Sequence, residues 1–194
     1  MKSFNVHIVN NKTDVTVDSN TSLLELSKLY RNVTKSTILL AKVDNIERDL
    51  NYRINDDCNI EFLDITSKLG FRVYQRSAVF IMLAAVRKIL GKEAVVWVEH
   101  TINRNYFCII RGVEISRKLL SEIKEEMTEI VKNDFPIEKL QVSVSEAEEI
   151  FTKNNLINCK KELKYIKATS VSLYKINDYY DYLYGSMVPS TEYI

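Results

Sequence analysis

The sequence predicts an α+β chain built in two blocks, and three patterns predict it. Period-two alternation opens the chain, with Phe4, Val6 and Ile8 on one face and Asn5, His7 and Val9 between them. A long segment, Phe71–Leu90, is apolar on nearly every side, as a helix inside a core must be. Alternation then returns at Leu140, Val142 and Val144 and again over Val171–Ile176. Strands and helices are interspersed in both halves, and no internal repeat is visible.

In the first block, Asn10-Asn11-Lys12 turns the chain and Val15 and Val17 resume the alternation, which predicts a hairpin. Ser19–Thr21 is placed to cap a short helix whose stripe is Leu23, Leu24, Leu26, Leu29 and Tyr30. Ile38–Val43 suits a buried strand. Leu50, Tyr52 and Ile54 alternate through a polar stretch, and Asn55-Asp56-Asp57 turns into an alternating strand over Cys58–Ile65. Two strands, a helix, a strand and further short strands suit one helix laid across a mixed sheet. That is a β-grasp arrangement over residues 1–66.

The second block, residues 68–194, begins with the apolar helix, whose end fits Gly91 at the C′ position. Val95–Val98 and Tyr106–Ile110 are predicted strands joined by the polar Glu99–Asn105. Ser116 caps a long helix bearing Leu119, Leu120, Ile123, Met127, Ile130 and Val131, and Asn133-Asp134-Phe135-Pro136 ends it. Ser145 with Glu148 reads as a capping box for a helix that turns Ala147, Ile150 and Phe151 inward. Val171–Ile176 and Tyr180–Tyr184 complete an antiparallel sheet around one central helix.

Composition bounds the function classes. The chain has 194 residues, is 46% apolar and carries a formal net charge of +1. The molecule as a whole therefore has no strong field for nucleic acid or acidic lipid, and polyanion binding requires a local patch. Cys58, Cys108 and Cys159 are odd in number and far apart, which is the thiol usage of a reducing compartment. No signal peptide is read at MKSFNVHIVN, and the longest apolar run, Ala78–Val86, is too short to span a bilayer. The expectation is a cytoplasmic protein with no membrane partner. The only histidines, His7 and His100, have no cysteine at ligand spacing and read as lone surface residues.

Two segments carry a family resemblance. Arg76 and Phe80 lie four apart on the apolar helix with Ser77 between them. Asp181–Thr191 reads DYLYGSMVPST, with Leu183 and Met187 also four apart. This layout resembles the second N-terminal domain of threonyl-tRNA synthetases, which bears His-x-x-x-His on a helix and Asp-x-Cys-x-Gly-x-His-Val-Pro near its end. Position by position, the helical histidines fall on Arg76 and Phe80, the cysteine on Leu183 and the last histidine on Met187. The element order of residues 1–66 likewise resembles the TGS domain that begins those synthetases. The Tyr-rich stretch ending Gly-x-Met-Val-Pro-Ser-Thr is more similar still to a branch of bacterial uridine kinase-like proteins, which carry both domains ahead of a P-loop kinase.

Arg cannot ligate a cation, Phe and Leu offer no donor atom, and a lone Met thioether is too soft to hold zinc. The resemblance thus implies an editing scaffold without its hydrolytic metal site. The residues gathered there are Arg76, Phe80, Leu183, Tyr184 and Met187, candidates for lining a ligand pocket. Arg76 suits a phosphate or a terminal ribose; the plainer reading is a surface ion pair. Phe80, Leu183 and Met187 read equally as core filling. Tyr174, Tyr180, Tyr182 and Tyr184 are able to stack bases or simply to pack. Lys160, Lys161 and Lys164, followed by Lys167, are candidate RNA contacts, against the plainer reading of a solvated, charge-balanced face. The uridine kinase resemblance implies ATP-dependent phosphoryl transfer, yet Gly70, Gly91, Gly112 and Gly185 are isolated and no G-x-x-x-x-G-K-[ST] exists.

The expectation is therefore a non-catalytic accessory region that binds tRNA or a nucleotide. It would be the N-terminal part of a longer uridine kinase-like protein, its partner a C-terminal kinase domain. No cofactor is expected in this chain, and ATP with Mg²⁺ is expected only in the kinase part. Two alternatives are a free-standing tRNA-binding module and a metal-independent aminoacyl-tRNA deacylase, for which no general base is evident.

Overall fold

Alternation at the N-terminus becomes the strand pair β1 (Ser3–Ile8) and β2 (Thr13–Asp18), in register from Ser3 opposite Asp18 to Ile8 opposite Thr13. The computed structural model describes residues 2–102 and 105–194, the side chains of residues 100–102 and 158 excepted. Helix α1 (Leu23–Leu29) follows, then β3 (Ile38–Val43), β4 (Ile46–Arg48) and β5 (Cys58–Asp64). The five strands form one mixed sheet in the order β2-β1-β5-β3-β4, with β1 and β5 parallel and the other neighbours antiparallel. Leu23 and Leu26 of α1 join Phe4, Val6, Ile8, Ile60 and Phe62 in a buried core. Leu50 and Ile54 are buried as predicted, though only residues 46–48 of that stretch pair as a strand.

The α1 cap differs from the one expected. Ser22, not Ser19–Thr21, is the N-cap: its Oγ accepts from the Glu25 N–H at 3.2 Å, and Glu25 Oε2 accepts from the Ser22 N–H at 2.7 Å. The reciprocal bond available three residues on decides the position.

The junction from β5 to the next helix, α2 (Lys68–Leu90), is built on Asp64. One carboxylate oxygen accepts from the N–H groups of Lys35 and Ser36, both at 3.0 Å, and the other from the N–H and hydroxyl of Thr66. Burial pushes this carboxyl up, yet the bonds from Thr66, Ser36 and Lys35 outweigh it and hold the pKa below the ordinary value. The Asp64 carbonyl accepts from Ser67 Oγ, which in turn accepts from the Gly70 N–H. A Cβ on Gly70 would lie 1.9 Å from that same carbonyl oxygen.

By length and composition α2 is long and apolar enough to cross a membrane, which the sequence expectation denied to any segment. Val73, Phe80, Ile81, Ala84, Ala85 and Val86 are nevertheless buried in protein, as in a core helix. It ends at Gly91, φ +83°, whose N–H donates to the Arg87 carbonyl.

Beyond α2 come β6 (Val96–Ile102), β7 (Asn105–Ile110), α3 (Arg117–Lys132), β8 (Glu138–Ser143), α4 (Val144–Lys153), α5 (Ile157–Leu163), β9 (Ser170–Ile176) and β10 (Tyr179–Asp181). β6 and β7 pair as a separate two-stranded hairpin, and β10-β9-β8 form a three-stranded antiparallel sheet, so the predicted single sheet is two. Ser116 caps α3 as expected. The α4 capping box is Ser143 with Glu146 rather than Ser145 with Glu148; both pairs have the right spacing, and the strand's end at Ser143 selects the first. Ala147 and Phe151 of α4 pack with Leu156, Leu163, Val171 and Leu173. His100 falls on β6 rather than in a loop, and its side chain lies outside those described, as do Asn103 and Arg104.

The chain divides into two compact units. The first comprises Met1–Ala78 with Tyr184–Ile194, and the second Val79–Leu183.

Gly70→Ala should destabilise the chain by about 3 kcal/mol, the upper end for overpacking against atoms that cannot yield. Gly91→Ala, where an added Cβ meets nothing within 4 Å, should lose only about 1 kcal/mol from its left-handed backbone. Urea denaturation followed by circular dichroism compares the two, and equal losses would refute the steric assignment.

Candidate functional site

Within the first unit, one face of α2 holds the chain's last segment. Ser77, fully buried, donates its hydroxyl to the Val73 carbonyl one turn back at 2.9 Å and accepts from the Val188 N–H at 3.1 Å. Arg76 Nη1 donates to the Ser186 carbonyl. Its guanidinium lies against Gly185, where a Cβ would come within 2.7 Å of Cζ. Gly185 has φ +91°, a left-handed conformation that glycine adopts at no steric cost. Tyr74 reaches the Ile194 carbonyl at 3.3 Å. Ser186, Met187, Val188 and Thr191 are buried, while Tyr184 is 75% exposed.

Of the five pocket candidates, Arg76, Tyr184 and Met187 belong to the first unit and Phe80 and Leu183 to the second. Among the described residues Arg76 forms no ion pair with a carboxylate; it is half-buried on a backbone carbonyl. Phe80 is fully buried, its ring 5.4 Å from that of Tyr179 and 6.4 Å, edge-on, from that of Tyr174. Tyr174 is itself only 2% exposed, so it has no face to offer a base, and the stacking expectation is corrected there. Its strand is covered on both faces, since Val171, Leu173, Tyr174 and Ile176 are all buried.

The second unit contains a cavity of about 420 Å³ that the sequence reading did not foresee. Arg87, Trp97, Cys159, Glu162, Asp181 and Leu183 are among its walls. Asp181, 9% exposed, is its electrostatic centre. Its Oδ1 accepts from the Tyr182 N–H at 2.7 Å and from Cys159 Sγ at 3.1 Å, and its Oδ2 from the Tyr179 hydroxyl at 2.7 Å. Burial pushes the Asp181 carboxyl above the ordinary value; bonds from Tyr179, Cys159 and Tyr182 and the charge of Arg87 offset only part of that. Burial and the neighbouring Asp181 push up the Cys159 thiol, the Glu162 carboxyl and the Tyr179 phenol alike. Cys159 is therefore held as a thiol, which suits a hydrogen-bond donor and not a nucleophile. Arg87 Nη2 is buried and has no hydrogen-bond acceptor among the described residues.

The sequence offered one signal for this cluster, a carboxylate flanked by tyrosines at Tyr179-Tyr180-Asp181-Tyr182. Cys159 and Arg87 lie 22 and 94 positions before Asp181, so nothing in local spacing joins them to it. Among the described residues, no three His, Cys, Asp or Glu side chains gather at metal-binding spacing. His7 instead pairs with Asp14 across the first hairpin at 2.7 Å.

Lys160 and Lys161 sit on α5, a helix missing from the sequence reading, and Lys164 is its C-cap. Lys160 is engaged by protein: its Nζ lies 3.2 Å from Glu148 Oε1 and 3.1 Å from Thr152 Oγ1. Lys161 and Lys164 are exposed.

Two outcomes are expected. Ser77→Ala would leave the buried Val188 N–H unpaired, at about 1–3 kcal/mol, and the Val188 amide should lose its protection from hydrogen exchange. Retained protection would refute the role given to Ser77. In the second unit, the folded Asp181 carboxyl binds its proton more tightly than an unfolded Asp. Stability should therefore fall as pH rises from about 3.9 to the raised folded value, and level off above it. Asp181→Asn should remove that part of the slope in a pH series of thermal melts, and an unchanged slope would contradict the assignment.

No family model matches the chain. Three threonine–tRNA ligases are similar to most of it. That of Fusobacterium nucleatum is 30% identical over 175 residues, 89% of this chain and 28% of the ligase. That of Thermotoga neapolitana is 29% identical over 168 residues, 84% of the chain and 26% of the ligase. That of Clostridium kluyveri is 27% identical over 184 residues, 93% of the chain and 29% of the ligase. The chain thus spans less than a third of the length of these relatives, and its similarity to them supports a domain related to the threonine–tRNA ligases.

Proposed function

We propose that this chain is a tRNA-related recognition module that has lost hydrolytic editing chemistry. The observation that carries the reading is the use made of the four positions matched to metal donors. Arg76 is bonded to the Ser186 carbonyl, Phe80 and Met187 are buried at 0% and 2% exposure, and Leu183 presents a hydrocarbon side chain to the second unit's cavity. None of these side chains is able to hold a divalent ion or deprotonate water. Similarity to threonine–tRNA ligases supports tRNA or a tRNA-derived nucleotide as the ligand class.

Two finer assignments belong to the same proposal. Residues 1–66 are read as a TGS-like β-grasp, supported by their sheet order β2-β1-β5-β3-β4 with α1 against the core. The second block is read as a degenerate editing-like domain. The parent is read as a uridine kinase-like protein, a reading favoured by the segment Gly185-Ser186-Met187-Val188-Pro189-Ser190-Thr191. In such a parent the chain would tune a P-loop phosphotransferase through ligand binding, with ATP and Mg²⁺ confined to that other part.

The test is a deacylation assay on Ser-tRNA with and without chelator, beside a metal analysis and tRNA binding across a salt series. The expected result is no hydrolysis, no stoichiometric zinc and saturable tRNA binding whose affinity falls gently with salt. Stoichiometric zinc or chelator-sensitive hydrolysis would overturn the loss of editing chemistry. Chelator-resistant hydrolysis would establish a metal-independent deacylase instead. A steep salt dependence abolished by substituting Lys160, Lys161 and Lys164 would move the RNA contact to α5.

A further inference from the structure

We propose that the first unit carries a phosphate-group site for a nucleotide, in the cavity between the end of α1, the 3-10 turn Arg31–Val33 and the start of β3. The site is separate from the segment around Arg76 and from the Lys160–Lys164 run. The cavity is about 440 Å³, and its charged side chains are all cationic: Lys28 in the last turn of α1, Arg31 opening the 3-10 turn and Lys35 in the loop before β3. In a chain whose formal charge is only +1, three cations around one cavity that no carboxylate lines are a local concentration of field.

The charge of Glu25 acts on Lys28 without closing an ion pair. Among the described residues, Lys28, Arg31 and Lys35 have no carboxylate at ion-pair distance. Glu25, one turn before Lys28, is committed to the Ser22 N–H and hydroxyl. Asp64 is committed to the N–H groups of Lys35 and Ser36, and those bonds fix the loop that presents the Lys35 side chain.

Hydroxyls complete the polar wall. The Thr34 hydroxyl donates to the Ser36 carbonyl at 2.8 Å and so orders the loop, while Ser36 and Thr37 are exposed beside it. Ammonium, guanidinium and exposed Ser36 and Thr37 hydroxyl groups lining one cavity match a phosphate better than a single carboxylate, because a phosphate offers more acceptor oxygens and more charge. Tyr193, half-buried and packed on the first core, supplies an aromatic wall to the same cavity. An aromatic face beside cations is the pairing that holds a base next to its phosphate.

The experiment titrates the full chain with ATP, with pyrophosphate, with a short single-stranded RNA and with a Glu-rich peptide of matched charge, by calorimetry. A variant carrying Lys28→Gln, Arg31→Gln and Lys35→Gln is titrated in parallel. These side chains are exposed, so the variant's melting temperature should match the parent's, and a Lys160→Gln/Lys161→Gln/Lys164→Gln variant serves as the control. The expected result is saturable ATP binding, tighter than pyrophosphate, weakened roughly tenfold or more in the first variant and unchanged in the control. RNA binding lost in the first variant and displaced by ATP also supports the site and identifies an RNA nucleotide as one source of the ligand. Pyrophosphate binding as tight as ATP would overturn the role of Tyr193 and the nucleotide assignment. Peptide binding equal to ATP, or ATP binding unaffected by the first variant, would overturn the site. None of these outcomes bears on zinc content or Ser-tRNA hydrolysis, so this site and the loss of editing chemistry stand or fall separately.

Discussion

The first unit depends on one buried hydroxyl. Ser77 Oγ receives the Val188 N–H across 111 positions of sequence, and the neighbouring Arg76 takes the Ser186 carbonyl. Closing so long a loop is entropically unfavourable, and the opposing gain is burial of Met187 and Val188 with their backbone groups paired. A fully buried serine on an apolar helix would ordinarily be a liability. Here both of its hydrogen-bonding capacities are used, one on the Val73 carbonyl of its own helix. The first unit is therefore assembled from two stretches of chain far apart in sequence.

That same bonding explains what became of the positions matched to metal donors. Once Arg76 is folded onto the Ser186 carbonyl and over Gly185, its charge serves the backbone, and the missing Cβ at 185 is what lets the guanidinium lie there. Phe80, further along α2, is closed off by the rings of Tyr174 and Tyr179 in the second unit. Chemistry in that unit has a different centre. Asp181 is buried with three donors around it, and every titratable neighbour that burial reaches is driven toward its neutral form. In such a cluster burial keeps Cys159 in its thiol form, a hydrogen-bond donor to Asp181. Arg87 has a buried nitrogen with no acceptor among the described residues.

Legibility followed the range of the interaction. The hairpin at the N-terminus, the Ser116 cap, the Gly91 terminus and the inward face of α4 all rest on contacts within a few residues, and they were read from periodicity and capping chemistry. Errors arose where two local solutions were equally good. Ser143 and Ser145 each stand three residues before a glutamate, and only the length of β8, set by its pairing with β9, selects Ser143. Helix α5 was missed because its seven residues, INCKKEL, show no full apolar turn; it exists because Leu156 and Leu163 reach the core beneath. The alternation over Val171–Ile176 implied one wet face, but Tyr174 and Ile176 are buried along with Val171 and Leu173.

The sequence by itself determined the α+β class, the order of the elements apart from α5 and the absence of metal donors at Arg76, Phe80, Leu183 and Met187, because residue type and short-range spacing suffice for each. Tertiary structure alone decided that the last segment belongs with the first unit, that Cys159, Tyr179 and Asp181 share hydrogen bonds, and that Lys28, Arg31 and Lys35 surround one cavity. Those facts depend on burial and on which distant strands pair, and the free energy of such contacts resides in pairs of residues that no short window of sequence contains.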